Sequence, residues 1–296
     1  MATPREVRNR ISGVKKTQKI TKAMKMVAAA KMRRAQTAVI TARPYANKLK
    51  ELLEHLVSQT PEQADPLLIQ RDVHRVVLIV VTADRGLCGA FNANIVKAAV
   101  HHLTQKYPGW GDDARATIIC VGKKGADFFG KSKYRVRAKH VGVTNALVFA
   151  SAQEIARGIV EGYRAGDYDR VEIIYNEFKS VSRQRIVVSQ FLPLASDDAG
   201  KVRSAAPAIN YIYEPSRQRI LEAIVPKHLN FEIWRALLES NAAEQGARMA
   251  AMENATENAN EMIRSLQLQY NKARQASITK ELLEVVSGAE ALRNAE

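Results

Sequence analysis

The stretch "GADFFGKS", Gly125–Ser132, fits the letter pattern G-x-x-x-x-G-K-[ST] of a phosphate-cradling loop, in which backbone N–H groups surround a nucleotide's phosphates and the lysine reaches them. Such a loop needs a strand ending at its first glycine and a helix starting at its Lys-Ser, so that the helix dipole faces the anion. Neither need is met. The apolar run "ATIICV" ends four residues before Gly125, and Gly122-Lys123-Lys124 intervene. Asp127, Phe128 and Phe129 place a carboxylate and two rings where backbone would have to approach phosphate. The residues after Ser132, "KYRVRAKHV", alternate like a strand, and no second acidic strand to hold magnesium is evident. A short helix, "KKGADFFG", with its two phenylalanines packed on a sheet, is the better reading.

Other candidates for chemistry are sparse. The six histidines (His55, His74, His101, His102, His140 and His228) show no metal-ligand spacing, and the adjacent pair 101–102 diverges on a helix. The two cysteines, Cys88 and Cys120, form neither a disulfide framework nor a metal cluster and suit a reducing compartment. No local Ser-His or Cys-His pairing stands out. The residues therefore point to no catalytic, cofactor or metal site.

The elements that would carry a different kind of function are long helices. Thr3-Pro4-Arg5-Glu6 reads as a capping box with proline at the first helical position. Apolar residues at Val7, Ile11, Val14, Met24, Val27 and Ala35 follow three- and four-residue steps, predicting an amphipathic helix of about 40 residues, ~60 Å long. A kink is expected at Pro44, with helix continuing to about Val57. "SQTPEQADP" (58–66) reads as a loop. Neither glycine nor proline occurs between Gly246 and Gly288, which predicts a second helix of about 40 residues. Its seam is read as Met252, Ala255, Ala259, Met262, Leu266, Ala273 and Ala276.

Between the helices the character changes. "RVVLIVVT" (75–82), "ATIICVG" (116–122), "YRVRAKHV" (134–141), "RVEIIYNEF" (170–178) and "RIVVSQFL" (185–192) read as strands. Helices are expected over 91–107 and near 146–165, and a loop over 195–208. The fold class is therefore α/β plus long helices. An N-terminal coiled-coil helix (1–58) and a C-terminal one (214–296) pair antiparallel around a central Rossmann-like α/β domain (74–213). Such a rod is either sheathed by other chains or a free coiled coil.

Charge narrows the partners. Of the formal net charge of +15, residues 1–50 carry +13, fourteen Lys and Arg against Glu6 alone, whereas 230–296 hold ten Glu against seven Lys and Arg. The basic face suits nucleic acid, anionic lipid or an acidic protein surface. The first helix has no aromatic residue before Tyr45 for base stacking, and its apolar seam calls for a helical partner. No run of eighteen apolar residues is present to span a bilayer, and no signal peptide is evident.

Three stretches resemble one family, the gamma subunits of rotary F-type ATP synthases. They are "RISGVKKTQKITKAMKMVAAAKMRRAQ" (10–36), "TADRGLCGAFN" (82–92) and "ARMAAMENATENANEMIRSLQLQYNKARQASITKELLEVVSGAEAL" (247–292). The resemblance extends over essentially the whole chain. It implies a shaft turning inside a ring of three alpha and three beta subunits. The sheet domain would sit with an epsilon subunit on the membrane rotor ring of c subunits, and proton flow would drive ATP synthesis at beta-subunit sites. On this resemblance Met24, Lys25, Lys31, Arg33, Arg34, Arg85 and Cys88 meet the acidic lever of beta, and Arg274 and Gln275 meet a beta catch loop. Leu282, Leu283, Val285 and Val286 form an apolar bearing tip. The shaft would bring no cofactor and no catalytic site of its own. The plastid form's dithiol insert is missing, so redox regulation is not expected; with Met1 leading directly into the helix, a bacterial form is expected, peripheral on the cytoplasmic face of the inner membrane.

Overall fold

The computed structural model describes residues 3–58, 65–180, 184–194, 213–214 and 216–293. The chain divides into two compact units, Met1–Ala28 with Met249–Glu296, and Ala29–Arg248. The loop expected over 58–66 falls mostly outside the described residues, and the one over 195–208 wholly so.

The first unit is an antiparallel helix pair. Helix α1 spans Pro4–Ser58, 55 residues, and opens with the capping box: Glu6 N–H donates to Thr3 Oγ1 and Thr3 N–H to Glu6 Oε2. The helix continues through Pro44. Its buried or half-buried positions step by four and three from Val7 through Ile11, Val14, Gln18, Thr21, Lys25, Ala28 and on to Leu56. This heptad seam corrects the apolar reading of the sequence. Val27 lies outside it and is 56% exposed, whereas Ala28 is buried, because strict heptad spacing and not hydrophobicity decides which side faces the partner.

The partner is the last helix of the chain, spanning Arg217–Arg293, 77 residues. Its start lies close to the helical onset expected at 214, but it is one unbroken element, longer than the ~40 residues of the glycine-free stretch, and keeps both Pro226 and Gly288 in its interior. In this unit its seam runs through Met252, Thr256, Ala259, Ile263 and Leu266; Ile263 replaces the expected Met262, which is 54% exposed. Three successive polar layers cross the seam. Gln18 bonds Asn260, Thr21 Oγ1 lies 2.8 Å from Thr256 Oγ1, and Lys25 Nζ pairs with Glu253 Oε1 at 2.5 Å. Polar seam layers help fix register, since a one-heptad slip would set Thr21 against Met249 or Ile263 and break its contact with Thr256.

The second unit is built around a five-stranded sheet. Its strands are β1 (Val76–Val81), β2 (Ala116–Val121), β3 (Arg135–His140), β4 (Arg170–Phe178) and β5 (Gln184–Leu192), in the order β3-β2-β1-β4-β5. The first four are parallel and β5 returns antiparallel on β4. Helices α2 (Phe91–Lys106) and α3 (Lys123–Phe129) cover one face. Helix α4 (Phe149–Arg164), the end of α1 and the start of the last helix, α5, cover the other. β1 shows why both faces must be covered: Val77, Ile79 and Val81 enter one core, Val76, Leu78 and Val80 the other. The winding reverses beside β1, since α2 and α3 carry the chain outward to β2 and β3 and α4 carries it back to β4.

Candidate functional site

The phosphate-loop pattern dissolves in the fold. Gly125 lies inside α3, in its first turn, and its N–H donates to Thr82 Oγ1 at 2.9 Å. Phe129 is fully buried and meets Tyr134 edge-on; Phe128, expected to pack beside it, is 48% exposed. Lys131 is exposed, and Ser132 Oγ donates back to Phe129 O. No cradle of free N–H groups remains around these residues. Among the described residues, no group of three or more His, Cys, Asp and Glu could hold a metal ion. His102 meets the buried Glu172, which also receives Lys106 and Tyr107.

The loop after β1, Thr82–Asn92, is held from three sides. Asp84 is the hub: Oδ1 accepts the N–H groups of Lys123 (2.9 Å) and Gly142 (2.8 Å), and Oδ2 accepts the N–H (3.1 Å) and hydroxyl (2.7 Å) of Thr144. One carboxylate thus ties the loops that follow β1, β2 and β3. Asn92 closes the loop on itself, accepting Ala83 N–H and donating to Cys88 Sγ. Helix α5 supplies the third hold: Arg248 donates to Gly86 O at 3.3 Å and pairs with Glu244 at 2.6 Å. Burial raises the Glu244 pKa against the opposing pull of Arg248.

These contacts sort the predicted site residues. Cys88 points inward, 1% exposed, against Ala83, Phe91 and Ala243, and burial pushes its thiol up. The outward side of its loop is Arg85 and Leu87, the latter 65% exposed. Lys31, Arg33 and Arg34 are exposed on α1. In the helix-pair unit Met24 is half-buried, and Lys25 is engaged with Glu253. Arg274 and Gln275 are exposed on α5.

Register explains the end of α5. Opposed residues in the polar layers have numbers adding to 277 or 278, so the first residue of α1, Pro4, stands opposite about residue 273. Helix α5 continues for about 20 residues beyond that point, or ~30 Å. Every residue from Ile278 to Glu290 is exposed, including Leu282 and Leu283 (61% each), Val285 (70%) and Val286 (59%). The structure brings these four apolar side chains onto one bare helix end, and sets Arg274 and Gln275 at its root.

Sequence reasoning passed over Asp84, Glu239, Glu244 and Arg248. The available signal was the placing of charged residues in the otherwise small-residue run "ESNAAEQGAR" (239–248), where an alanine-rich helix demands close neighbours.

An antiparallel pair of long helices with a bare apolar end, in a chain that also carries a mostly parallel α/β sheet, defines a stalk-type subunit. The family model for ATP synthase matches residues 3–292. The ATP synthase gamma chain of Chloroherpeton thalassium is 51% identical over 300 residues, covering 99% of each chain. That of Chlorobaculum tepidum is 51% identical over 294 residues, covering 99% of this chain and all of its own. Among solved structures, a chain of the central stalk and c-ring of Tetrahymena thermophila mitochondrial ATP synthase superposes with a TM-score of 0.59 at 25% identity, over 80% of this chain and 99% of that one. A chain of the Euglena gracilis mitochondrial enzyme (OSCP/F1/c-ring) gives 0.66 at 22% identity, over 98% of this chain and 94% of that one, a likeness of fold. The chain belongs to the ATP synthase gamma chain family.

Proposed function

We propose that this chain is the central-stalk rotor of a proton-driven ATP synthase. It turns inside a ring of three alpha and three beta subunits and couples rotation of the membrane c-ring to ATP synthesis or hydrolysis at beta-subunit sites. Its asymmetric surface drives each beta subunit in turn through open, loose and tight nucleotide states. In this reading the chain supplies torque and no catalytic site. It works with an epsilon subunit at the sheet domain and lies peripherally on the cytoplasmic face of a bacterial inner membrane. The α/β domain of 74–213 is its base and the helices of 1–58 and 214–296 its shaft.

The observation that carries the reading is the bare end of α5 on a chain matched to the family along nearly its full length. A helix exposing Leu282, Leu283, Val285 and Val286 together is stable in water only at a cost, and a surrounding apolar sleeve removes that cost while resisting rotation little. Arg274 and Gln275, at the root of that end, are available for charge-assisted hydrogen bonds to a beta catch loop. Lys31, Arg33, Arg34 and Arg85 are exposed cations suited to acidic levers that pass them, because screened surface contacts form and break readily. Cys88 serves from inside, as part of the packing that supports Arg85. No described helix is long and apolar enough to cross a membrane, which is compatible with a peripheral place.

The test is affinity purification of the tagged chain from its native membranes, with ATPase assays of the complex and of the isolated chain. Recovery of alpha and beta subunits, with hydrolysis only in the complex, is the expected result. Hydrolysis by the isolated chain, or a preparation without those subunits, would overturn the reading.

A further inference from the structure

Open doubly wound sheets bind ligands at the C-terminal ends of the strands where the winding reverses. Here that point lies between β1 and β4. The chain fills it with its own helix. Ala243 of α5 packs with Ala83, Cys88 and Phe91, and Phe178 and Ala247 close around them. From Ala236 to Gly246 every residue of α5 except Asn241 is buried, so the helix is enclosed on all sides, polar positions included. Apolar burial explains the enclosure, and its driving force is non-directional, whereas hydrogen bonds act only over a narrow range of distance and angle.

The polar bonds supply direction. Glu239 Oε2 accepts Phe178 N–H at the end of β4 (3.1 Å), while Oε1 accepts Arg43 from α1 (2.9 Å). Asn241 Nδ2 donates to Thr144 O, in the loop after β3 (3.3 Å). Gln184 at the start of β5 donates to Ala243 O (3.0 Å). Arg248 donates to Gly86 O in the loop after β1, and Asp84 ties that loop to Thr144. Within three helical turns α5 is thus bonded to chain segments at β1, β3, β4 and β5, on several sides of its axis. Rotating it by one residue, ~100°, breaks all of these bonds together.

We propose that the segment Glu239–Arg248, seated in this crevice, is a keyed torque joint. Its polar bonds lock α5 rotationally to the sheet, so that torque on the sheet reaches the helix without slip. The proposal rests on the rotor reading above. Glu239, Asn241 and Arg248 are positioning residues of the joint, and Asp84 and Thr144 brace the loops they grip.

The decisive variant is Glu244→Leu with Arg248→Met in the complete complex. Replacing both members of a buried ion pair with apolar residues is tolerated far better than removing one, while the bond to Gly86 O is lost. A bead is fixed through Lys97→Cys on the exposed side of α2, and its angular spread during pauses of ATP-driven rotation is compared with that of the otherwise unaltered complex. In membranes, protons pumped per ATP hydrolysed are measured alongside. A wider spread and a loss of pumping per ATP, with the hydrolysis rate retained, are expected. Arg248→Lys, which keeps the charge beside Glu244, is expected to recover part of the coupling. Unchanged spread and unchanged pumping per ATP in the assembled variant overturn the joint. If that variant does not assemble, Asn241→Leu decides by the same two measurements and criteria. Failure of the unaltered complex to rotate would count against the rotor reading itself.

Discussion

Asp84→Ala gives the sharpest test of how the loops at the sheet's C-terminal edge are held. The carboxylate is 8% exposed and accepts three backbone N–H groups and one hydroxyl. Alanine leaves all four donors without it. A buried donor deprived of its acceptor costs about 1–3 kcal/mol. Lys123 and Gly142 are exposed residues, so water reaches part of the gap and each loss falls at the low end of that range. The sum is about 3–4 kcal/mol, a large share of the ~5–15 kcal/mol that stabilises a typical domain. Asp84→Asn keeps one accepting oxygen but turns an NH2 group toward donors, and should cost about 1–2 kcal/mol on the same scale. Both tryptophans, Trp110 and Trp234, lie in the unit that contains the sheet, so urea unfolding of the full chain followed by tryptophan fluorescence reports on that unit alone. A stability of Asp84→Ala within about 1 kcal/mol of the parent chain, or an asparagine variant no better than alanine, would refute the hub.

Three further outcomes are expected. Burial alone would raise the Glu172 pKa, but hydrogen bonds from Lys106 and His102 outweigh it and hold the carboxyl below its ordinary 4.5. A depressed folded pKa means that this stabilisation is complete above the unfolded value and is lost as pH falls through the folded one. Glu172→Gln should therefore be less stable at pH 7 and show a flatter loss of stability below pH 4.5, read from unfolding curves across that range. Gly122→Ala should cost several kcal/mol or prevent folding, since φ is +94° and an added Cβ would stand 2.1 Å from Thr82 O; near-native unfolding midpoints would contradict this. Lys131→Ala should leave ATP turnover by the assembled complex unchanged, because this lysine ends an exposed turn after α3; a large fall in rate would reinstate the phosphate-loop pattern.

Patterns with a short physical range are legible in consecutive residues. The capping box at Thr3–Glu6, the strand runs of 75–82 and 170–178, and the short helix over "KKGADFFG" all depend on neighbours within a few residues, and each forms. The basic excess of the first 50 residues is likewise a property of composition, and it places exposed cations on α1. The seam is only partly legible. Gln18, Thr21 and Lys25 are polar, so a search for apolar steps passes over them and takes Val27 instead of Ala28. Only the opposed helix, with Asn260, Thr256 and Glu253 at matching heights, makes those polar residues belong to the seam.

The sequence by itself determined the two long helices, the sheet between them and the family they resemble, because helical period, strand alternation and long motifs are written in consecutive residues. Which groups meet across the chain was decided by tertiary structure. Asp84 lies 60 residues from Thr144, and Gly86 lies 162 from Arg248. No spacing rule spans such distances. Cys88 shows the same limit, since a motif in the loop could not tell that its thiol turns inward against Ala243 while Arg85 and Leu87 face out. The crevice that other sheets of this winding leave for a ligand is here filled by a helix from the far end of the chain. That outcome depends on the small side chains of Ala242, Ala243 and Ala247 meeting strand ends brought beside them only by folding.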